Sequence, residues 1–294
     1  MIKVYDDVQY HPIPTLILGL FDGVHIAHKK IITRAREIGR PCAVVTFTKS
    51  PLEYLQNNPV SYITSKQDRI NVLERAGVDF VYMLDFEKIM NLSAREYLRD
   101  VLIKYFQPKN IITGFNHTFG KNRSGDSEFL SSNQSVYKYK YTRVEPIELD
   151  GRLVSSSNIR YLISLARIEE ANKLLGRRFS IGGEVIKGNQ LGRKIGFPTA
   201  NVKWGEHIVS PPYGVYKGSV ILEGEEYPSV INWGTRKGIA PVPEAMLEAH
   251  ILNFDRDIYG KNIEICLEKM LRTEMSFDGI YELKEQIKKD IASI

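Results

Sequence analysis

The chain has 294 residues, of which 43% are hydrophobic and 26% charged, and carries a net charge of +5. The length suits two domains, and the composition excludes a disordered or fibrous protein. The mild positive charge suits phosphorylated ligands but falls short of a nucleic-acid footprint.

Two cysteines, Cys42 and Cys266, supply neither a disulfide framework nor a zinc set. Cys42 sits in an apolar run, which reads as a buried structural thiol. The segment MIKVYDDVQYHP is not a signal peptide, and no apolar run approaches the ~20 residues that span a bilayer. A soluble, cytoplasmic protein is expected.

The first half alternates strand and helix. Residues 15–20 (TLILGL) read as a buried parallel strand, 29–38 as a helix ended by Gly39, and 42–47 (CAVVTF) as the next strand. A helix over 65–76, a strand over 80–84 and a capping box at Ser93–Glu96 follow. The capping box opens a helix with Tyr97, Leu98, Val101, Leu102 and Tyr105 on its apolar side; 110–113 is another strand. This alternation predicts an open, mostly parallel sheet that binds ligands at the carboxyl ends of its strands. Residues 156–176 read as one helix bridging the halves.

After Phe179 the pattern changes to short alternating segments at 181–186, 214–222, 227–232, 248–254 and 263–267, with a final helix near 279–292. That predicts a compact antiparallel β-barrel. The division is expected at 1–176 and 177–294. Residues 136–143 (VYKYKYTR) interleave Tyr and Lys; we read them as a strand with a solvated Lys face rather than a nucleic-acid platform.

Two stretches carry chemistry. The loop 19–28 (GLFDGVHIAH) joins the first strand to a helix N-terminus, where backbone N–H groups attract phosphate. His25 and His28 add donors that can stabilise a phosphoryl centre and a leaving pyrophosphate. A zinc reading of H-x-x-H finds no third or fourth ligand nearby, while two ordinary loop histidines also fit. Residues 191–201 (LGRKIGFPTAN) combine Gly192 and Gly196 with Arg193, Lys194, Pro198, Thr199 and Asn201. Thr199 and Asn201, two apart on an extended segment, share a face and can hold Mg²⁺ together with phosphate oxygens. A surface hairpin with a solvated charge pair fits the same letters. On the strand near 248–254, Glu248 is a candidate general base for a hydroxyl nucleophile.

These residues resemble riboflavin kinase. PPYGVYKG at 211–218 looks like that family's P-x-G-V-Y strand, INWG at 231–234 like its N-I-G turn, and residues 271–291 like its closing F-L-R-x-E helix region. The resemblance implies that PTAN holds Mg-ATP with Thr199 and Asn201 at metal and phosphates. It also implies that Glu248 activates the ribityl hydroxyl and that Arg272 and Glu274 meet the flavin.

The 19–28 loop resembles the G-x-F-D-G-V-H-x-G-H form of the nucleotidylyltransferase half of prokaryotic FAD synthetase. Residues 112–125 and VSSSNIR at 154–160 resemble further motifs of that half. The family is bifunctional and covers nearly the whole chain. The resemblance implies a Rossmann-like nucleotidylyltransferase domain and a β-barrel kinase domain. Gly19, Phe21, Asp22, Gly23, Asn116, Ser155, Ser156 and Arg160 are expected at ATP and phosphate, with His25 and His28 catalytic. The substrates and products are ATP, riboflavin, FMN and FAD. No membrane or nucleic-acid partner is implied, and a homo-oligomer stays open.

Several positions depart from the family pattern. Ala27 replaces Gly, Thr48 and Ser50 replace Asp and His, and His117 replaces Phe. Thr235-Arg236-Lys237 follows INWG, and Asn253 replaces Asp. The alternatives are a chain with one active half, the kinase, or a non-catalytic flavin-binding regulator.

Overall fold

The computed structural model describes residues 1–56, 59–188, 190–235 and 245–294. Arg236 and Lys237 lie outside the described residues. The chain packs as two compact units: 1–60 with 66–156, and 61–65 with 157–294.

The first unit contains β1 (Lys3–Tyr5), β2 (Thr15–Leu18), β3 (Cys42–Phe47), β4 (Phe80–Leu84), β5 (Asn110–Gly114) and β6 (Lys140–Val144). They form one all-parallel sheet in the order β1-β4-β3-β2-β5-β6. A small hairpin of β7 (Glu148–Leu149) and β8 (Arg152–Leu153) follows. Strand residues alternate between two cores. Leu16, Leu18, Ala43 and Val45 pack on one face; Ile17, Cys42, Val44 and Val81 pack on the other. Burial on both faces is why these strands read as continuous apolar runs. Cys42 is a structural thiol, pushed up to about 11 chiefly by burial.

The second unit contains β9 (Phe179–Glu184), β10 (Ala200–Lys203), β11 (Gly214–Leu222), β12 (Glu225–Gly234), β13 (Met246–Ile251) and β14 (Asn262–Thr273). The sheet is antiparallel in the order β10-β13-β12-β11-β14-β9. A bridge between Ile186 and Asn201 brings its two ends together, nearly closing a barrel. The helix Ile280–Ala292 ends the chain.

Four local expectations are corrected. Residues 156–176 form two helices, Ser156–Ser164 and Ile168–Leu175. The first ends in a Schellman motif: Arg167 N–H donates to Leu162 C=O, Ala166 N–H donates to Ile163 C=O, and Ala166 has φ 57°. No Gly or Pro marks that break. INWG closes β12 rather than forming a turn, because Ile231 and Trp233 are buried on one strand face. Residues 271–273, expected in the closing helix region, end β14 instead. In 136–143 only residues 140–143 are strand. Tyr137 ends the helix Gln134–Tyr137, and Lys138 turns the chain at φ 57°. The buried Tyr139 donates its hydroxyl to Leu130 C=O instead of presenting a stacking face.

Candidate functional site

In the second unit, strand register aligns five residues. Asn201 on β10 is opposite Glu248 on β13, Glu248 is opposite Asn232 on β12, and Asn232 is opposite Val215 on β11. Val215 is opposite Arg272 on β14. Directly opposed residues share a face, so one transverse row crosses five strands. Four of its members line a cavity of about 150 Å³. Phe197, Val215, Val230, Phe277, Leu283 and Ile287 supply much of its apolar wall; Thr199, Glu248, His250, Arg272 and Glu274 supply polar groups. An apolar pocket with a few convergent polar groups is the usual form of a small-molecule site.

The 191–201 stretch is built by close approach. Leu191–Lys194 form one helical turn. A Cβ on Gly192 would lie 2.3 Å from Phe197 O, and Gly196 has φ 90°. Both positions require glycine. Gly192 and Thr199 line the cavity, while Arg193, Lys194 and Pro198 are exposed. Buried Asn201 donates its Nδ2 to Thr199 O at 3.1 Å, which spends one N–H and keeps the carboxamide oxygen as an acceptor. His250 Nδ1 lies 2.8 Å from Pro198 O and its ring meets Phe197 edge-on. It fastens the loop to the strand that carries Glu248. His250 was missed as a site residue, although its spacing of two from Glu248 put it on the same face. Glu248 is 7% exposed, with Leu247 and Ala249 fully buried beside it. Arg272 is held by Asp290 at 2.9 Å, another member of the cavity wall that sequence reasoning missed.

In the first unit, β2 and β5 are neighbours and β3 lies on the other side of β2. The strand order therefore switches direction there, and the crevice at the carboxyl ends is where such sheets bind ligands. The loops 19–25 and 115–125 both leave from these ends. The first is contorted: Phe21, Gly23 and Val24 have φ 57°, 78° and 41°. A β-branched residue there is costly and persists only when its surroundings over-determine it. Buried Arg69 does part of this. It donates Nη1 to Leu20 O at 3.1 Å and Nη2 to Phe47 O at 2.8 Å, while Thr46 Oγ1 also donates to Leu20 O at 2.8 Å. Nothing in the helical spacing of Arg69 announced that role. Asp22 is buried, and its C=O accepts from Ser156 Oγ at 2.9 Å, which joins two of the expected motifs. Ser155 is half-buried beside it. Gly19 donates its N–H to Val45 O at 3.3 Å.

His25 and His28 come together as expected, with rings stacked at 3.6 Å. His25 caps the helix Ile26–Ile38 by accepting from His28 N–H on Nδ1 at 3.3 Å. Burial lowers His25 to about 4; His28 falls well below its usual value from burial and the neighbouring ring's charge. Both are neutral at pH 7. With Nδ1 of His25 accepting, its proton sits on Nε2, which is then a donor. Asn116 is exposed on the β5 loop. Arg160 lies four residues after Ser156 on one helix, and its Nη2 is 3.4 Å from Ser157 Oγ.

The departures find local accounts. Ala27 is helical, so it needs no glycine backbone. Ser50 accepts from Leu52 N–H at the start of the helix Pro51–Gln56, and Thr48 N–H bonds Leu84 C=O. His117, lowered to about 4 by burial, stacks on Phe119 as a neutral ring in place of a phenyl group. Asn253 turns the chain just after β13 at φ 54°.

Comparison with known proteins covers both units. The family model described as FAD synthetase matches residues 9–158, and that described as riboflavin kinase matches residues 175–294. A bifunctional riboflavin kinase/FMN adenylyltransferase of Escherichia coli (strain K12) is 35% identical over 282 residues, covering 94% of this chain and 90% of its own. One of Bacillus subtilis (strain 168) is 35% identical over 284 residues, covering 94% and 89%. The crystal structure of a macrolide-efflux protein from Streptococcus pneumoniae is similar with a TM-score of 0.85 at 30% identity, covering 97% and 95%. Among the described residues no helix is long and apolar enough to cross a membrane. With both family models matched in order along one chain, this protein belongs to the bifunctional riboflavin kinase/FMN adenylyltransferase family.

Proposed function

We propose that the barrel phosphorylates riboflavin to FMN and that the parallel-sheet domain adenylylates FMN to FAD. The functional domains are residues 1–176 and 177–294, and the work belongs in the cytoplasm, where ATP is supplied. The transverse row from Asn201 to Arg272 carries this reading. It holds Asn201, Glu248 and Arg272 in that order, and Glu248 and Arg272 line one cavity with Thr199, which supports a phosphate end beside the carboxylate and a ring end at Arg272. Motifs of both halves, present in order, favour two working sites over a single active half or a flavin carrier.

In the kinase step Glu248 takes the proton of the ribityl 5′-hydroxyl. That oxygen attacks the γ-phosphorus of ATP, the bond to the β-phosphate oxygen breaks, and ADP leaves. Positioning and charge stabilisation dominate such transfers. Gly192 and Gly196 let the backbone approach the phosphates, with Arg193, Lys194 and Pro198 at the same loop.

Among the described residues no group of three His, Cys, Asp or Glu is arranged for a metal. The hydroxyl of Thr199 and the carboxamide oxygen of Asn201 are hard donors, which fits Mg²⁺ shared with phosphates and water. Bound there, Mg²⁺ would neutralise charge on the β- and γ-phosphates. Arg272 and Glu274 meet the flavin ring.

In the adenylyl step a phosphate oxygen of FMN attacks the α-phosphorus of a second ATP, and pyrophosphate leaves. His25 Nε2–H and His28 donate to the reacting phosphates. Gly19, Phe21, Asp22, Gly23, Asn116, Ser155, Ser156 and Arg160 shape and hold the triphosphate site. No covalent enzyme intermediate is needed.

The test is to incubate the protein with riboflavin, ATP and Mg²⁺ and separate the flavins. Both FMN and FAD are expected. FMN alone, with no FAD from supplied FMN, would remove the adenylyl reading; neither product would remove both.

A further inference from the structure

The Arg272 guanidinium has five N–H groups. Nε lies 3.1 and 3.2 Å from the two oxygens of Asp290, and Nη2 lies 2.9 Å from Oδ2. Nη1 donates to Thr273 O at 3.1 Å. One N–H on each terminal nitrogen is left over. Asp290 is fully engaged: its side chain is 6% exposed and also accepts from Gln286 Nε2 at 2.9 Å. It is therefore no ligand for a substrate. It sits on the helix Ile280–Ala292 with Leu283 and Ile287, all three lining the cavity.

Two residues beyond Arg272, Glu274 also lines the cavity. Both its carboxylate oxygens are shut from solvent and have no hydrogen-bond partner among the described residues. Gly234 makes the space, since a Cβ there would lie 2.5 Å from Glu274 Oε1. A buried acceptor without a donor is costly. A donor delivered by a ligand resolves it.

We propose that Asp290 is a positioning residue that fixes Arg272 by one edge and cancels its charge. Arg272 then presents a two-donor fork, and Glu274 an acceptor, to the imide edge of a neutral ring: carbonyl, N–H, carbonyl. This deepens the riboflavin kinase reading and rests on it. An unpaired guanidinium would draw phosphate instead of carbonyl oxygens. The ion pair keeps the ring end of the cavity for the ring.

Riboflavin fluorescence titrations of the full chain test this, using wild type, Asp290→Asn, Arg272→Ala and the double variant. Asp290→Asn is expected to weaken riboflavin binding about tenfold, leave KM for ATP unchanged, and add nothing on the Arg272→Ala background. Riboflavin methylated at the imide nitrogen is expected to bind wild type about tenfold more weakly, a penalty that shrinks in Glu274→Gln. FAD formation from supplied FMN reports the integrity of the other unit, and an unchanged KM for ATP in the kinase reaction reports that of the barrel. Should Asp290→Asn unfold the barrel, Asp290→Glu keeps the charge, displaces the fork and takes its place in the cycle.

Losses that add in the double variant, or an Asp290→Asn protein that binds like wild type, overturn the inference. So does an imide-methylated flavin bound as tightly as riboflavin. A wild-type protein that neither binds nor phosphorylates riboflavin overturns the kinase reading itself.

Discussion

Asn201 and Glu248 stand directly opposite each other on neighbouring strands. Opposed residues of an antiparallel pair hold their Cβ atoms about 5 Å apart. The backbone ladder, not a flexible loop, therefore sets the spacing between the phosphate-side carboxamide and the carboxylate.

Glu248→Gln keeps that spacing and removes the base. Riboflavin phosphorylation should fall by about 10²- to 10⁴-fold, while riboflavin still binds and supplied FMN is still converted to FAD. Chromatography of the flavins measures both. Unchanged FMN production would exclude Glu248 as the base.

His250→Ala removes the bond that ties Pro198 to β13. The loss should appear as a rise in KM for ATP of about fivefold, the scale of one hydrogen bond near 1 kcal/mol, with riboflavin affinity unaltered. Steady-state kinetics with each substrate varied in turn would reveal the split.

Gly192→Ala puts a methyl group against a backbone carbonyl, which cannot swing aside as a side chain can. The turn must open, and kcat/KM for ATP in the kinase reaction is expected to drop at least tenfold. The adenylyl reaction, in the other unit, serves as the internal control.

The first unit should be acid-sensitive. His25 and His117 fall to about 4, and His28 is also lowered well below its usual value, in each case chiefly by burial. The unfolded chain takes up protons near pH 6.5 while the folded chain resists until about 4. Between those values the unfolded state binds more protons, so stability rises with pH and levels off above about 6.5. Hydrogen exchange of β2 and β5 at pH 4.5 and 7.5 would measure this. His117→Phe should lessen the difference; an identical pH dependence would show that His117 does not titrate with unfolding.

Much of the fold could be read from letters because its signals are local. The runs CAVVTF and FVYML are strands buried on both faces, and Ser93–Glu96 forms the expected capping box. The break at Ala166 could not, since a left-handed alanine carries no Gly or Pro mark. Glu248 and the PTAN segment were legible as chemistry. Their alignment with Asn232, Val215 and Arg272 was not, because register joins residues from 16 to 57 positions apart. Asp290 was hidden for a similar reason: one acid among several on an amphipathic helix looks solvated until Arg272 is placed against it.

The transverse row also acts as a ruler. Glu248 and Arg272 are separated by three strand spacings, about 14 Å across a flat sheet and less across a curved one. A ring seated at Arg272 delivers its hydroxyl to Glu248 only if the connecting chain matches that span. Flavins with shortened side chains would fill the cavity and stop short of the carboxylate, occupying the site without being phosphorylated.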